Sequence, residues 1–189
     1  MPHWDVNEGA YFVTFNLHDA FPSGYRERLE RERHIRMSEP ERLKGKATTA
    51  ELHEIERLIR ERAEEMLDQG SGSSHLRDPR IAEIVADAIM HFDEDRYTLL
   101  AWCVMPNHVH AIFVAHQTVD RILHSWKSFT AKEANKILNR EGQFWQDDYW
   151  DRLIRSREEL DATVKYILEN PGRAGLTDWP FVRSYPDRL

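Results

Sequence analysis

The sequence predicts an α+β fold: a ferredoxin-like antiparallel sheet with helices on one face, plus a helical insertion. Segments rich in β-branched and aromatic residues alternate with segments of helical periodicity. A long stretch of interleaved charges follows the first strand-like segment, which indicates an inserted helical arm. Two later strand-like segments are joined only by Met105, Pro106 and Asn107. Parallel strands need a long crossover, so this short link favours antiparallel pairing.

The first half of the chain contains one predicted strand and two predicted helices. Residues 10–17 are strand-like and end before a Pro-Ser-Gly turn. Helices are expected over about 26–35 and over 49–67, the second with an N-cap at Thr48 or Thr49. We therefore expect a single catalytic domain over 1–189 that carries a helical insertion over 25–75.

The second half predicts two helices flanking a pair of strands, followed by a strand-like segment and a closing helix. In chain order they are a helix begun by Asp78 and Pro79, strands over 97–104 and 108–115, a helix over 120–139, a strand-like segment over 144–154 and a helix over 158–169. The Asn-Pro-Gly triplet at 170–172 is expected to end the last helix.

The composition is that of a globular protein, with 41% hydrophobic and 31% charged residues among 189. The single cysteine, Cys103, excludes an intrachain disulfide framework and fits a reducing compartment. With no secretory signal or membrane-spanning run recognised, a cytoplasmic location is expected. The net charge of −7 argues against a nucleic-acid-binding function, since such proteins usually carry a positive surface. A local basic surface would answer this objection, and bases slightly outnumber acids over 121–175.

The triplet His108-Val109-His110 lies in a predicted strand, where alternate side chains point to the same face. The two imidazoles therefore stand side by side, and two neutral imidazoles can bind one divalent cation. On spacing alone, two partly exposed strand histidines with no such role remain an open alternative.

Several segments in the correct order carry a resemblance to a known family. They are Tyr-Phe-Val-Thr-Phe from Tyr11, Met-Pro-Asn-His-Val-His from Met105, the stretch from Leu123 to Lys132, Phe-Trp-Gln from Phe144, Trp-Asp-Arg-Leu-Ile-Arg from Trp150, and Tyr-Ile-Leu-Glu-Asn-Pro-Gly-Arg-Ala-Gly-Leu from Tyr166. Together they resemble the HUH single-tyrosine transposases, in particular the REP-associated tyrosine transposase branch of the IS200-like proteins. Gly172 departs from many relatives, which have a bulkier residue after the proline.

The resemblance implies that His108 and His110 hold a divalent cation and that Tyr166 forms a 5′-phosphotyrosine link with DNA. Asn170 follows Tyr166 by four residues and so lies on the same helix face, where its amide could supply a third ligand. Nitrogen ligands alone favour zinc or copper, whereas added oxygen ligands suit Mg²⁺ or Mn²⁺, the cofactor expected here. Tyr149 is the rival nucleophile, but no Asn-Pro signature follows it.

The expected partner is single-stranded DNA, in the form of hairpin-forming repeats, bound by a monomer or homodimer. Trp126 and Trp145 are candidates for base stacking. Lys127, Lys132, Arg152 and Arg155 are candidates for phosphate contacts.

The sequence thus predicts a metal-dependent transposase-like strand transferase that cleaves and rejoins single-stranded DNA. Two alternatives remain open, a catalytically silent module that binds DNA hairpins and a metal-dependent nuclease that uses water.

Overall fold

The computed structural model describes residues 9–44, 48–70 and 72–189. These residues form two compact units, one made of the described residues through His18 together with Ser74–Leu189, the other of Asp19–Ser73. Within the described residues, no helix is both long enough and apolar enough to span a bilayer.

The elements follow one another in an order close to the predicted one. They are β1 (Ala10–Asn16), α1 (Tyr25–Lys44), α2 (Thr49–Asp68), α3 (Pro79–Met90), β2 (Tyr97–Val104), β3 (His108–Ala115), α4 (Val119–Ile137), β4 (Trp150–Leu153), α5 (Arg157–Arg173) and β5 (Val182–Ser184). Short 3₁₀ turns occupy His75–Arg77 and Pro186–Arg188.

Within the described residues, the five strands form a single antiparallel sheet in the order β4-β1-β3-β2-β5. The β2 and β3 boundaries agree with the sequence prediction, and these strands pair directly through the short connection between them. The predicted α+β fold with an antiparallel sheet is therefore confirmed.

Helices cover both faces of this sheet, whereas the sequence predicted helices on one face. Phe15 of β1 packs against Trp126 of α4, with ring centroids 6.3 Å apart. Its near neighbour Phe12 contacts Tyr166 of α5, with centroids 6.2 Å apart. Because side chains three positions apart in a strand point to opposite faces, α4 and the closing helix α5 lie on opposite sides of the sheet. This arrangement places α5 over the face that carries the histidines.

The structure differs from the prediction in two C-terminal segments. Only Trp150–Leu153 of the strand-like segment is a strand, with an isolated bridge between Leu17 and Trp145 before it. The strand β5 was not predicted at all. It is three residues long and pairs with β2, so its sequence carries too short a pattern to be recognised.

The helix α5 also continues past its predicted end, through Asn170 and Pro171. A proline inside a helix lacks the N–H donor, and its ring crowds the carbonyl one turn earlier. The helix nevertheless continues, since the carbonyls of Asn170 and Pro171 accept from the backbone N–H groups of Ala174 and Leu176. Gly175, with φ of +69°, follows directly after the C-cap. The left-handed conformation of this glycine ends the helix.

The unit Asp19–Ser73 contains α1 and α2. Thr48 is the N-cap of α2, where its Oγ1 accepts from the Glu51 backbone N–H and the Glu51 carboxylate accepts from Thr48. The ion pairs Arg33–Glu56 and Glu32–Arg62 join the two helices. The helical character predicted for this segment is confirmed, whereas its role as an insertion within one domain remains a prediction.

Candidate active site

The candidate site is built on β3, where His108 and His110 point to one face of the sheet and Val109 to the other. Both histidine side chains are fully buried, so the alternative of two partly exposed histidines is wrong. Their Nε2 atoms are 3.0 Å apart, and the rings are inclined by 77°. The sheet therefore brings the Nε2 atoms of the two imidazoles next to each other.

Each histidine has a hydrogen-bonding partner at its other ring nitrogen. His108 Nδ1 lies 2.7 Å from Asn107 Oδ1, and His110 Nδ1 lies 2.8 Å from Thr14 Oγ1. An amide oxygen only accepts hydrogen bonds, so the proton of neutral His108 lies on Nδ1. The Nε2 of His108 consequently offers its lone pair to the site.

Burial keeps both imidazoles uncharged. Desolvation lowers the pKa of His108 from its ordinary value of 6.5 to about 3. The pKa of His110 is also well below its ordinary value, mainly through burial and further through the neighbouring His108. Neutral imidazole is the form that binds metal ions, so the pair remains ligand-competent at neutral pH.

Tyr166 of α5 lies against His110. Its ring meets the His110 imidazole edge-on, with centroids 5.3 Å apart and planes inclined by 69°. Phe12 stacks on His110 with centroids 5.4 Å apart and also contacts Tyr166. The guanidinium carbon of Arg173 lies 5.5 Å from the Tyr166 ring centroid, which places a cation over the face of the tyrosine.

Asn170 lies one helical turn after Tyr166 on the same face of α5, because the helix continues through this position. Its side chain is fully buried, and neither its Oδ1 nor its Nδ2 has a hydrogen-bonding partner among the described residues. A buried amide without partners is costly in a folded protein unless a ligand, ion or water satisfies it.

These residues fit a divalent cation. In the described part of the chain, no group of three or more His, Cys, Asp or Glu residues could hold a metal ion. A cation here would therefore rely on His108, His110 and the Asn170 amide, completed by water or phosphate oxygens. The Nε2 atoms of the two histidines, 3.0 Å apart, are close enough to serve one cation together.

The two tryptophans predicted to stack on bases lie in the core. Trp126 is 2% exposed and Trp145 is 3% exposed. The indole N–H of Trp126 donates to the Tyr97 hydroxyl, and that of Trp145 donates to Thr130 Oγ1. The prediction of base stacking is therefore corrected for both residues, because their rings are already packed and their polar atoms are bonded.

The four basic residues predicted to contact phosphates lie in different environments. Lys127 Nζ donates to the Asp147 carbonyl oxygen at 2.7 Å. Arg152 is half-buried, pairs with Glu159 and lies over the Phe12 ring. Lys132 and Arg155 are exposed. Arg152 is thus engaged in packing β4 against α5, while the exposed side chains of Lys132 and Arg155 are accessible to a DNA backbone.

A groove beside α4 offers space on the opposite side of the sheet from the histidines. It has a volume of about 680 Å³, and its walls include Lys127, Trp145 and Tyr149. The Tyr149 hydroxyl donates to the Asp120 carboxylate at 2.5 Å. Asp120 belongs to α4, so the Tyr149 hydroxyl points away from the histidine pair. This position does not suit a nucleophile that acts beside the two histidines.

The sequence did not reveal two residues that complete the site, Thr14 and Phe12. Both belong to β1, whose residues pair with β3 so that Thr14 lies opposite His110 and Phe12 opposite Ile112. Only the strand register identifies them, because their types are ordinary for a strand.

Comparison with known proteins adds to this geometry. The family model described as "Transposase IS200 like" matches residues 74–170. A REP-associated tyrosine transposase of Escherichia coli K12 is 29% identical over an alignment of 114 residues that covers 56% of this chain and 66% of that protein. The match thus spans just under two thirds of that relative. A solved structure described as a REP-associated tyrosine transposase bound to a REP hairpin shares the fold, with a TM-score of 0.55 and 19% identity over 96% of this chain and 80% of that one.

The matched residues make up more than half of the chain and contain His108, His110, Tyr166 and Asn170. The same segment contains β2, β3 and most of α5, which build the site described above. This chain belongs to the IS200-like transposase family.

Proposed function

We propose that this protein cleaves and rejoins single-stranded DNA through a covalent 5′-phosphotyrosine intermediate on Tyr166. The observation that carries the proposal is the position of Tyr166, whose ring lies against the imidazole of His110 with centroids 5.3 Å apart. A tyrosine held beside two neutral, adjacent imidazoles combines a nucleophile with a cation site in one place.

His108, His110 and Asn170 would hold the cation, for which Mg²⁺ or Mn²⁺ is proposed. A bound divalent cation would neutralise a non-bridging phosphate oxygen and orient the phosphodiester for in-line attack. The chain itself contributes the lone pairs of two imidazoles kept neutral by burial and the buried Asn170 amide. Phe12 contacts both His110 and Tyr166 and so fixes their mutual position.

The proposed step forms one bond and breaks one. The Tyr166 oxygen attacks phosphorus, the bond from phosphorus to the 3′-oxygen breaks, and the phenolic proton is balanced by the proton that the released 3′-hydroxyl gains. The number of phosphate ester bonds is unchanged, so a 3′-hydroxyl can later attack the phosphotyrosine and restore a continuous strand. The chemistry therefore requires no nucleotide cofactor.

The proposed substrate is hairpin-forming repeat DNA of the REP type. The similar solved structure is described as bound to a REP hairpin, and the curated relative as REP-associated. The chain has a net charge of −7, so binding must rely on local cations. Arg173 beside Tyr166, and exposed Lys132 and Arg155, are the residues proposed to contact phosphates.

A denaturing gel tests this function. Purified protein is incubated with a labelled single strand that carries a hairpin, with Mg²⁺, with Mn²⁺ or with a chelator. We expect a covalent protein-DNA adduct and a cut strand only when a cation is present. Cleavage without adduct would show that water is the nucleophile, and binding with neither product would show a silent binding module. Either result would overturn the proposal.

A further inference from the structure

We propose that Thr14 is a positioning residue that controls which ring nitrogen of His110 carries the proton, and thereby whether His110 can join His108 in holding a cation. The inference rests on the proposed function, because it concerns the cation site assigned there. It gives the β1 hydroxyl that contacts His110 a specific role in placing a proton.

The placement of Thr14 is fixed by the strand register. Thr14 lies directly opposite His110 in the antiparallel pair β1–β3. Its side chain is 1% exposed, and its Oγ1 is 2.8 Å from His110 Nδ1. Paired side chains of neighbouring strands lie on the same face, so the sheet itself holds this hydroxyl against the imidazole.

The proton positions in the cation-free site follow from two contacts. Asn107 Oδ1 only accepts, so the single proton of His108 lies on Nδ1 and its Nε2 is an acceptor. The 3.0 Å contact between the two Nε2 atoms then needs the proton of His110 Nε2. His110 Nδ1 is left as an acceptor, and the hydroxyl of Thr14 donates to it.

A bound cation requires the opposite tautomer of His110. Both Nε2 atoms must then direct lone pairs at the cation, so the proton of His110 must lie on Nδ1. In that state His110 Nδ1–H donates to Thr14 Oγ1. The ring has exchanged one proton position for the other with no net gain or loss of protons.

Threonine suits both states because a hydroxyl is both a donor and an acceptor. By contrast, Asn107 Oδ1 serves one state only and keeps His108 in the ligand tautomer throughout. The two histidines therefore have unequal roles. His108 is permanently prepared to bind, and His110 is switched by the arrival of the cation, with Thr14 stabilising it before and after.

The test compares Thr14→Val, which keeps the side-chain shape without a hydroxyl, with Thr14→Ser, which keeps the hydroxyl. Mn²⁺ affinity of the full-length proteins is measured by calorimetry and by electron paramagnetic resonance. Losing an outer partner of a metal-binding histidine typically weakens binding about 10- to 100-fold, so we expect that loss for Thr14→Val and less than about threefold for Thr14→Ser. Equal Mn²⁺ affinity of Thr14→Val and wild type would overturn the inference.

A second measurement needs no variant and so does not depend on whether Thr14→Val folds. Nitrogen-15 spectra of labelled histidines report which ring nitrogen carries the proton. We expect the proton of His110 on Nε2 in chelator and on Nδ1 with saturating Mg²⁺, while His108 keeps its proton on Nδ1 in both. An unchanged His110 tautomer would overturn the inference.

The same experiments separate the failure of this inference from the failure of the proposed function. If His108→Ala binds Mn²⁺ as tightly as wild type, the cation site itself is misplaced and both proposals are overturned. If binding depends on His108 but not on the hydroxyl at position 14, only the role of Thr14 is wrong.

Discussion

The ring of Tyr166 meets the imidazole of His110 edge-on across the interface between α5 and the sheet, with centroids 5.3 Å apart. The two residues come from elements that pack together only in the folded chain. Their contact defines where a phosphodiester must lie if both act on it.

Tyr166→Phe should abolish both strand cleavage and the covalent adduct while hairpin binding persists. The change removes one oxygen and keeps the aromatic contacts with His110 and Phe12, so the variant should remain folded. Adduct formation on a denaturing gel and hairpin binding by fluorescence anisotropy provide the measurements.

Tyr149→Phe is the matched control for that variant. Its hydroxyl bonds to Asp120 on the other side of the sheet, so adduct formation should continue near the wild-type rate. Cleavage by Tyr166→Phe at the wild-type rate would contradict the assignment of Tyr166 as the nucleophile. An adduct mapped to Tyr149 would show that Tyr149 is the nucleophile instead.

His108→Ala and His110→Ala should each abolish cleavage. Because both side chains are fully buried and hydrogen-bonded, each change should also destabilise the fold, by roughly 1–3 kcal/mol for the polar partner left behind. Urea denaturation and the adduct assay measure the two effects, and full cleavage by either variant in chelator would exclude the metal assignment.

Asn170→Leu should separate the effects of the amide on stability and on cation binding. In chelator the variant should be at least as stable as wild type, because it replaces a buried amide that has no hydrogen-bonding partner among the described residues with an apolar group of similar size. Cation affinity should fall, though by less than in the histidine variants, since a neutral amide is a weak ligand. Thermal melting with and without Mn²⁺ measures both, and an unchanged Mn²⁺-induced rise in melting temperature would count against Asn170 as a ligand.

The cation-free protein should lose stability as the pH falls from about 6.5 towards 3. The pKa of folded His108 is about 3, below its ordinary value of 6.5, so the unfolded chain binds the additional proton first. Stability from this group is therefore complete above pH 6.5 and declines on acidification. Urea denaturation across this range should give a shallower decline for His108→Gln than for wild type. An identical pH dependence in the two proteins would contradict the buried, neutral state of His108.

Replacing residues 25–69 with a short Gly-Ser linker should leave adduct formation on a short hairpin substrate intact. The helices α1 and α2 form a compact unit with their own ion pairs and carry none of the proposed ligands. We propose that this arm adjusts DNA recognition or assembly. Circular dichroism confirms folding of the shortened protein, and a folded protein without adduct would show that the arm belongs to the active unit.

Much of the fold was predictable from local sequence patterns. The boundaries of β2 and β3, the N-cap at Thr48 and the helix start at Asp78 follow from alternation, capping and proline placement, which act over a few residues. The short strand β5 and the packed state of Trp126 and Trp145 were not predictable in this way. Burial depends on which elements pack together, and a tryptophan has the same local pattern in a core and at a binding surface.

By itself, the sequence determined which residues could carry the chemistry. Strand alternation places His108 and His110 side by side, helical spacing places Tyr166 and Asn170 on one face, and the short link at 105–107 makes β2 and β3 antiparallel. Only the tertiary structure decided that α5 lies on the histidine face, that Thr14 and Phe12 complete the site, and that both histidines are buried and neutral. The physical reason is that strand register and sheet face depend on pairing between segments distant in sequence, whereas hydrophobic periodicity depends only on the residues within one segment.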